Sequence, residues 1–249
     1  MMTKNDRPRV ALVIGSGSVK CAAALGLMKV LEREHIDVDM VVGCSGGAIY
    51  ASLIALGWPV QRAIDTTLKM WTRDVTAKRN TRAILQLALP WFFKFDESFG
   101  LIDDRMINRR FRDGFDGATF AQTRIPLFVT ATDLYNGEQV VISEGVVAEA
   151  VRASISIPYI FPPHKMNGRF LIDGYQSDPL PIGVAIKEGA HGRAVVLIHV
   201  DAQLVVFDVG RKFVIAELPG SALQLVAVAG AKGVAGGEKG AVAAFLREK

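Results

Sequence analysis

Met40-Val-Val-Gly-Cys-Ser-Gly-Gly-Ala-Ile49 joins a short apolar run to a second one through Gly43-Cys44-Ser45-Gly46-Gly47, a match to G-x-S-x-G. Residues 40–42 read as a strand, and residues 46–56 as a buried helix stopped by Gly57 and Pro59. The pattern is weak by itself, but a nucleophile elbow requires this strand–turn–helix setting. Glycines beside the serine have a steric reason, because a side chain thrown out on a sharp turn leaves no room for neighbours. The competing reading is a tight turn in which Ser45 merely caps the helix.

Upstream, Arg9-Val-Ala-Leu-Val-Ile14 reads as a buried parallel strand. It ends at Gly15-Ser16-Gly17-Ser18-Val19-Lys20, and residues 20–34 continue with helical spacing. Such a loop lets backbone N–H groups approach an anion. One candidate is the oxyanion of acyl transfer, where a single donor contributes about 3 kcal/mol. A dinucleotide is the rival ligand, but Lys20 stands where that fingerprint wants a glycine. Asp37 and Asp39 also fall before the second strand or at its start rather than at its end. A plain turn stays open.

Asp173-Gly174 comes directly after the strand candidate Phe170-Leu-Ile172 and precedes Tyr175. An attacking serine needs a base within reach. The histidines His35, His164, His191 and His199 carry no motif, although His191 leaves a Ser-Asp-His order open.

The 249 residues, half of them hydrophobic and 22% charged, exclude a disordered, collagen-like or coiled-coil chain. The net charge of +4 favours anionic partners weakly. Two cysteines, Cys21 and Cys44, exclude a disulfide scaffold and suggest a reducing, cytoplasmic setting. The start shows no signal peptide, and no apolar run reaches the ~20 residues of a membrane span. A soluble or peripheral protein is expected.

Residues 60–112 carry eleven Lys or Arg against six Asp or Glu and read as a helical cap or insertion over one sheet edge. Within them Trp91, Phe92, Phe93 and Phe95, flanked by Lys78, Arg79, Arg82 and Lys94, either touch an anionic membrane surface or pack inward. Arg105, Arg109, Arg110 and Arg112 share a helix with Asp103 and Asp104, which gives nucleic-acid binding little support. Pro126-Leu-Phe-Val-Thr-Ala-Thr132 and Gln139-Val-Val-Ile142 flank Asn136-Gly137, a hairpin signal. Ala194-Val-Val-Leu-Ile-His-Val200 is a further strand candidate, and a last helix is expected from Lys239.

Together, the glycine loop ending in a basic residue, the G-x-S-x-G turn and the late Asp-Gly resemble the patatin-like phospholipases. Arg152-Ala-Ser-Ile-Ser-Ile-Pro-Tyr-Ile-Phe-Pro-Pro163 resembles the segment before that family's Asp-Gly motif, and Asp173-Gly-Tyr-Gln-Ser-Asp-Pro-Leu-Pro181 resembles the motif and its sequel. The resemblance implies a single α/β domain over residues 1–249, three-layered around a mostly parallel sheet, with a shortened segment at 202–249. It implies a Ser45–Asp173 dyad without metal or cofactor, and an oxyanion hole from Gly15, Ser16, Gly17, Ser18 and Lys20. Gly43, Gly46, Gly47 and Gly174 would be the motif glycines. The substrate would be a lipid or other acyl ester. An aspartate serving as base would need its pKa raised by burial.

Ser16 and Ser18 stand where the family has glycines, Cys21 where it has a glycine after the basic residue, and Tyr175 where it has Gly or Ala. The serines narrow the loop, and the Tyr175 ring restricts or closes the acyl pocket. Three functions are compatible with these residues: a Ser-Asp lipid acyl hydrolase, a Ser-His-Asp carboxylesterase, and a non-enzymatic lipid- or acyl-binding relative. Oligomeric state leaves no signal.

Overall fold

The computed structural model describes residues 10–94 and 96–189 and, as backbone, four further strands. At its centre is β1 (Val10–Ile14), buried at every position, as a strand covered on both faces must be. β2 (Met40–Cys44) runs parallel to it, and β3 (Leu127–Asp133) runs parallel to β2. On the other side β1 pairs in parallel with β7 (Ala194–Ile198).

The flanks are antiparallel. β4 (Gln139–Ile142) pairs with one edge of β3; β5 (His164–Met166) pairs with β6 (Arg169–Asp173), which joins β3. Beyond β7 lie β8 (Gln203–Asp208), β9 (Lys212–Glu217) and β10 (Gln224–Ala227). The path reads β10-β9-β8-β7-β1-β2-β3-β6-β5, with β4 off it. The sheet is therefore mixed, its parallel character confined to β7, β1, β2 and β3. Strands β8 to β10 fall where the sequence pattern fades, and the helix expected from Lys239 lies outside the described residues.

Alternation along β1 sorts its side chains. Val10, Leu12 and Ile14 join the larger core with α1 (Ala23–Arg33), α2 (Gly46–Ala55) and α6 (Val147–Ser154). Ala11 and Val13 join a smaller cluster with Val184 and Ala185 of α7 (Ile182–Lys187). Helix α1 starts later than its sequence pattern, because Ser18–Ala22 first forms a tight 3-10 turn.

The 60–112 region divides in two. α3 (Val60–Met70) and α5 (Arg105–Gly114) send Ala63, Met70, Ile107 and Phe111 into the main core. α4 (Thr81–Ala88) stays outside and buries only Ala83 and Gln86.

Candidate active site

Three strands place the site. Cys44 at the end of β2 lies opposite Thr130 of β3, and Asp173 at the end of β6 lies opposite the next residue, Ala131. β4 occupies the other edge of β3 along Val129 to Thr132, so β2 and β6 share one edge and run toward each other. Their ends meet head-on between Thr130 and Ala131. Ser45 is thereby brought in from one side and Asp173 from the other.

Ser45 takes φ 53 and ψ −127, a left-handed conformation that costs a non-glycine residue of order 1–3 kcal/mol. It stands at the N-cap position of α2 but makes no capping bond with its side chain. Its hydroxyl instead donates to Asp173 Oδ2 at 2.8 Å. Asp173 Oδ1 accepts the Tyr175 N–H at 2.9 Å, and the Asp173 N–H donates to Ser156 O at 2.9 Å. Asp173 is only 2% exposed, and burial raises its pKa above the ordinary carboxylate value, partly offset by the Tyr175 N–H and the Ser45 hydroxyl.

The glycine loop touches the elbow. A Cβ on Gly46 would lie 2.6–2.7 Å from backbone atoms of Ser18, and one on Gly47 would lie 2.2 Å from Ile14 O. Glycine at both positions lets the start of α2 close on the end of β1. Gly43 sits inside β2 against Ala48, and Gly174 packs on Thr130 O and Cys44 Sγ. Within the loop, Ser16 N–H donates to Pro179 O, and Lys20 N–H makes the first bond of the 3-10 turn, to Gly17 O. The Ser18 and Val19 N–H groups precede that bond and have no partner within the turn. The loop's dinucleotide reading fails on geometry, because Asp39 Oδ2 accepts the Val10 N–H at the opposite end of β1.

Two cavities meet at Ser45. One of about 70 Å³ is lined by Val19, Ile49, Tyr50, Thr67, Trp71 and Ile155, and is mostly apolar. The other, about 380 Å³ and more open, is bordered by Ser16, Gly17, Ser18, Lys20, Asp173 and Tyr175. Ser18 and Ile157 border both. Gly15 is buried behind them, and its carbonyl accepts from Cys21 Sγ. Tyr175 is 54% exposed and lines only the wider cavity, so its ring leaves the apolar one open.

Other nucleophiles and bases stand apart. Burial pushes the Cys21 and Cys44 thiols up to about 12, which keeps both protonated at neutral pH. His164 Nε2 lies 2.8 Å from Glu149 Oε2 and lines neither cavity; burial lowers its pKa. His35 is exposed beyond α1. His191 and His199 lie outside the described residues. Among the described residues no group of three or more His, Cys, Asp or Glu is placed to hold a metal ion.

Two positioning residues carry no signature of that role in the sequence. Ser154 Oγ accepts the Ser45 N–H at 2.8 Å and donates to Thr130 O at 2.7 Å, tying the elbow to α6 and β3. Arg152, 1% exposed, donates to Ser156 Oγ at 2.7 Å, to Asn108 and to Asp104, and so fixes the segment whose carbonyl holds Asp173. Both belong to the family-like segment Arg152 to Pro163, and that likeness is the one signal that could have marked them.

Residues 12–186, from β1 through both motifs to α7, match the family described as patatin-like phospholipase. The chain belongs to the patatin-like phospholipase family. An uncharacterized NTE family protein of Mycobacterium tuberculosis is 33% identical over 178 residues, covering 72% of this chain and 46% of that protein. Neuropathy target esterase sws of Drosophila melanogaster is 30% identical over 203 residues, 81% of this chain and 13% of that protein. This patatin-like chain thus spans less than half the length of either relative. Among solved structures, VipD from Legionella pneumophila superposes with a TM-score of 0.46 at 15% identity, over 72% of this chain and 49% of that chain.

Proposed function

We propose that this chain hydrolyses acyl esters of lipids, with Ser45 as nucleophile and Asp173 as general base. The observation that carries the reading is the 2.8 Å contact from Ser45 Oγ to a buried carboxylate. In the first half-reaction Oγ attacks the acyl carbon while its proton passes to Asp173 Oδ2. The carbonyl electron pair moves to oxygen, and the Ser18 and Val19 N–H groups, left without a partner within their turn, would serve the resulting charge. Collapse of the intermediate breaks the ester C–O bond, and the alkoxide takes its proton from Asp173. Water, deprotonated by the same carboxylate, then releases the acid and restores Ser45.

The apolar cavity suits the acyl chain, and the wider one, with Lys20 and Tyr175 at its border, suits the alcohol side. A cavity of 150 Å³ holds benzene, so about 70 Å³ encloses only about three carbons. A longer chain would continue past Val19 and Trp71, both exposed.

The test is a panel of acyl esters run on wild type, Ser45→Ala and Asp173→Asn. Hydrolysis by wild type, its loss in Ser45→Ala and a fall of about 10³-fold or more in Asp173→Asn support the reading. An active Asp173→Asn beside an inactive histidine variant would overturn the dyad in favour of a Ser-His-Asp esterase.

A further inference from the structure

Helix α4 is turned inside out. Its buried positions are Ala83 and Gln86, while Ile84, Leu85 and Leu87 face outward. Just beyond it Leu89 and Phe93 are also exposed, with Trp91 70% and Phe92 76% exposed. Soluble chains rarely leave so many large apolar side chains together on one short segment. The arrangement is fixed rather than frayed. Asn80 caps the helix by accepting the Arg82 and Ala83 N–H groups, and Gln86 reaches back to donate to Lys94 O at 2.8 Å.

The charged residues within this segment have one sign. Residues 78–94 contain Lys78, Arg79, Arg82 and Lys94 and no acidic residue. Arg82 pairs with Asp96 and Lys78 with Asp103, whereas Arg79 and Lys94 enter no ion pair among the described residues. The segment is also joined to the mouth of the catalytic site. Leu101 and Ile102 bond to the carbonyls of Tyr159 and Ile160, and on their other side Asn80 bonds to Leu101 O. Ile157, two residues from Tyr159, borders both cavities at Ser45. Two such strip-to-strip spacings put the start of α4 about 10 Å from the Tyr159–Ile160 segment. Of the residues that line the cavities at Ser45, Val19 and Ile157 are themselves exposed, as is Tyr159 two residues beyond Ile157.

We propose that α4 and the Leu89–Lys94 turn dock on the surface of an anionic lipid bilayer, holding the site's mouth toward the membrane. The inference rests on the reading of the substrate as a lipid. Aromatic and aliphatic side chains would enter the headgroup boundary, and the basic residues would meet anionic headgroups.

Two double variants of the full chain test it beside wild type: Trp91→Ser/Phe92→Ser and Arg79→Glu/Lys94→Glu. Each is floated with vesicles of phosphatidylcholine and phosphatidylglycerol in equal parts, and assayed on a water-soluble short-chain ester. Wild type should bind the vesicles, with each double variant at least ~10-fold weaker and soluble-ester turnover within about twofold of wild type. Equal vesicle binding by wild type and Trp91→Ser/Phe92→Ser would overturn the proposal. So would a wild type that hydrolyses the soluble ester but does not bind vesicles. A wild-type dimer made monomeric by Trp91→Ser/Phe92→Ser, with vesicle binding unaltered, would assign the patch to a second copy instead. Vesicle binding without any esterase activity would sink the functional reading and leave the docking inference standing.

Discussion

Asp173 is held by hydrogen bonds to both its carboxylate oxygens and its backbone in a buried position, and its raised pKa has consequences of opposite sign for activity and stability. In the proposed mechanism the ionised form accepts the Ser45 proton, so kcat/KM should fall as pH drops through that raised pKa. The midpoint should lie above 3.8, the ordinary value for an aspartate. For stability, a carboxyl whose folded pKa exceeds its unfolded one stabilises the fold below the unfolded pKa, and that contribution disappears as pH rises through the folded pKa. At neutral pH ionised Asp173 is therefore a burden on the fold. Asp173→Asn should show a Tm equal to or higher than wild type at pH 7 while losing turnover, a trade expected where function and stability compete. Thermal unfolding beside the pH–rate profile checks both halves; a marked loss of Tm would mean that the charged form stabilises the fold.

Elements rather than single side chains bring the proposed partners together. The elbow was legible because glycine, serine and small apolar residues succeed a short strand, and the Asp-Gly pair because it ends another. Their meeting was not legible, since it depends on β2 and β6 sharing one edge of β3, a pairing that spans residues 44 to 173. The hairpin at Asn136-Gly137 was legible at the right place, since β3 and β4 pair antiparallel on either side of it. Asn136-Gly137 lies in the β3–β4 connection, with only Gly137 at positive φ. Asn167-Gly168, both at positive φ, makes the two-residue turn between β5 and β6 and delivers Asp173. Close packing of the elbow on the glycine loop gives a test at this scale. Gly46→Ala must push a Cβ into Ser18 backbone atoms, and the displaced loop should lower kcat by about 10²-fold while leaving the chain folded. Steady-state kinetics with circular dichroism would check it. Arg152→Ala removes a buried cation that spans α6, α5 and the 156–162 segment. It leaves Ser156 and Asn108 without their donor, and should cost about 3–5 kcal/mol by urea unfolding.

Across the whole molecule, the sequence disclosed the α/β class and the central parallel strands, because buried strands are continuously apolar. It was less informative at the margins. Strands β8 to β10 fall where the sequence pattern weakened, and the outward face of α4 contradicts the usual assumption that apolar residues turn inward. Nor could spacing show that α2, α3 and the segment after α6 jointly wall a small cavity at Ser45. Trp71 is part of that wall, packed edge-on against Phe111 with centroids 6.1 Å apart. Trp71→Ala should enlarge the cavity and shift relative kcat/KM about 10-fold from short toward medium acyl chains, read from a chain-length series of soluble esters. An unchanged series would place the acyl chain elsewhere. Among the described residues no helix is long and apolar enough to cross a membrane, and the bilayer contact proposed for α4 is a contact of its outer surface.

The pairing of Ser45 with Asp173 is tested most directly by the second-order rate of Ser45 modification by a fluorophosphonate, measured on wild type and Asp173→Asn at pH 7. A fall of about 10³-fold in the variant, with no loss of Tm, is the predicted result. Labelling of the two proteins at rates within a few-fold of each other would contradict the dyad and place the base on another residue.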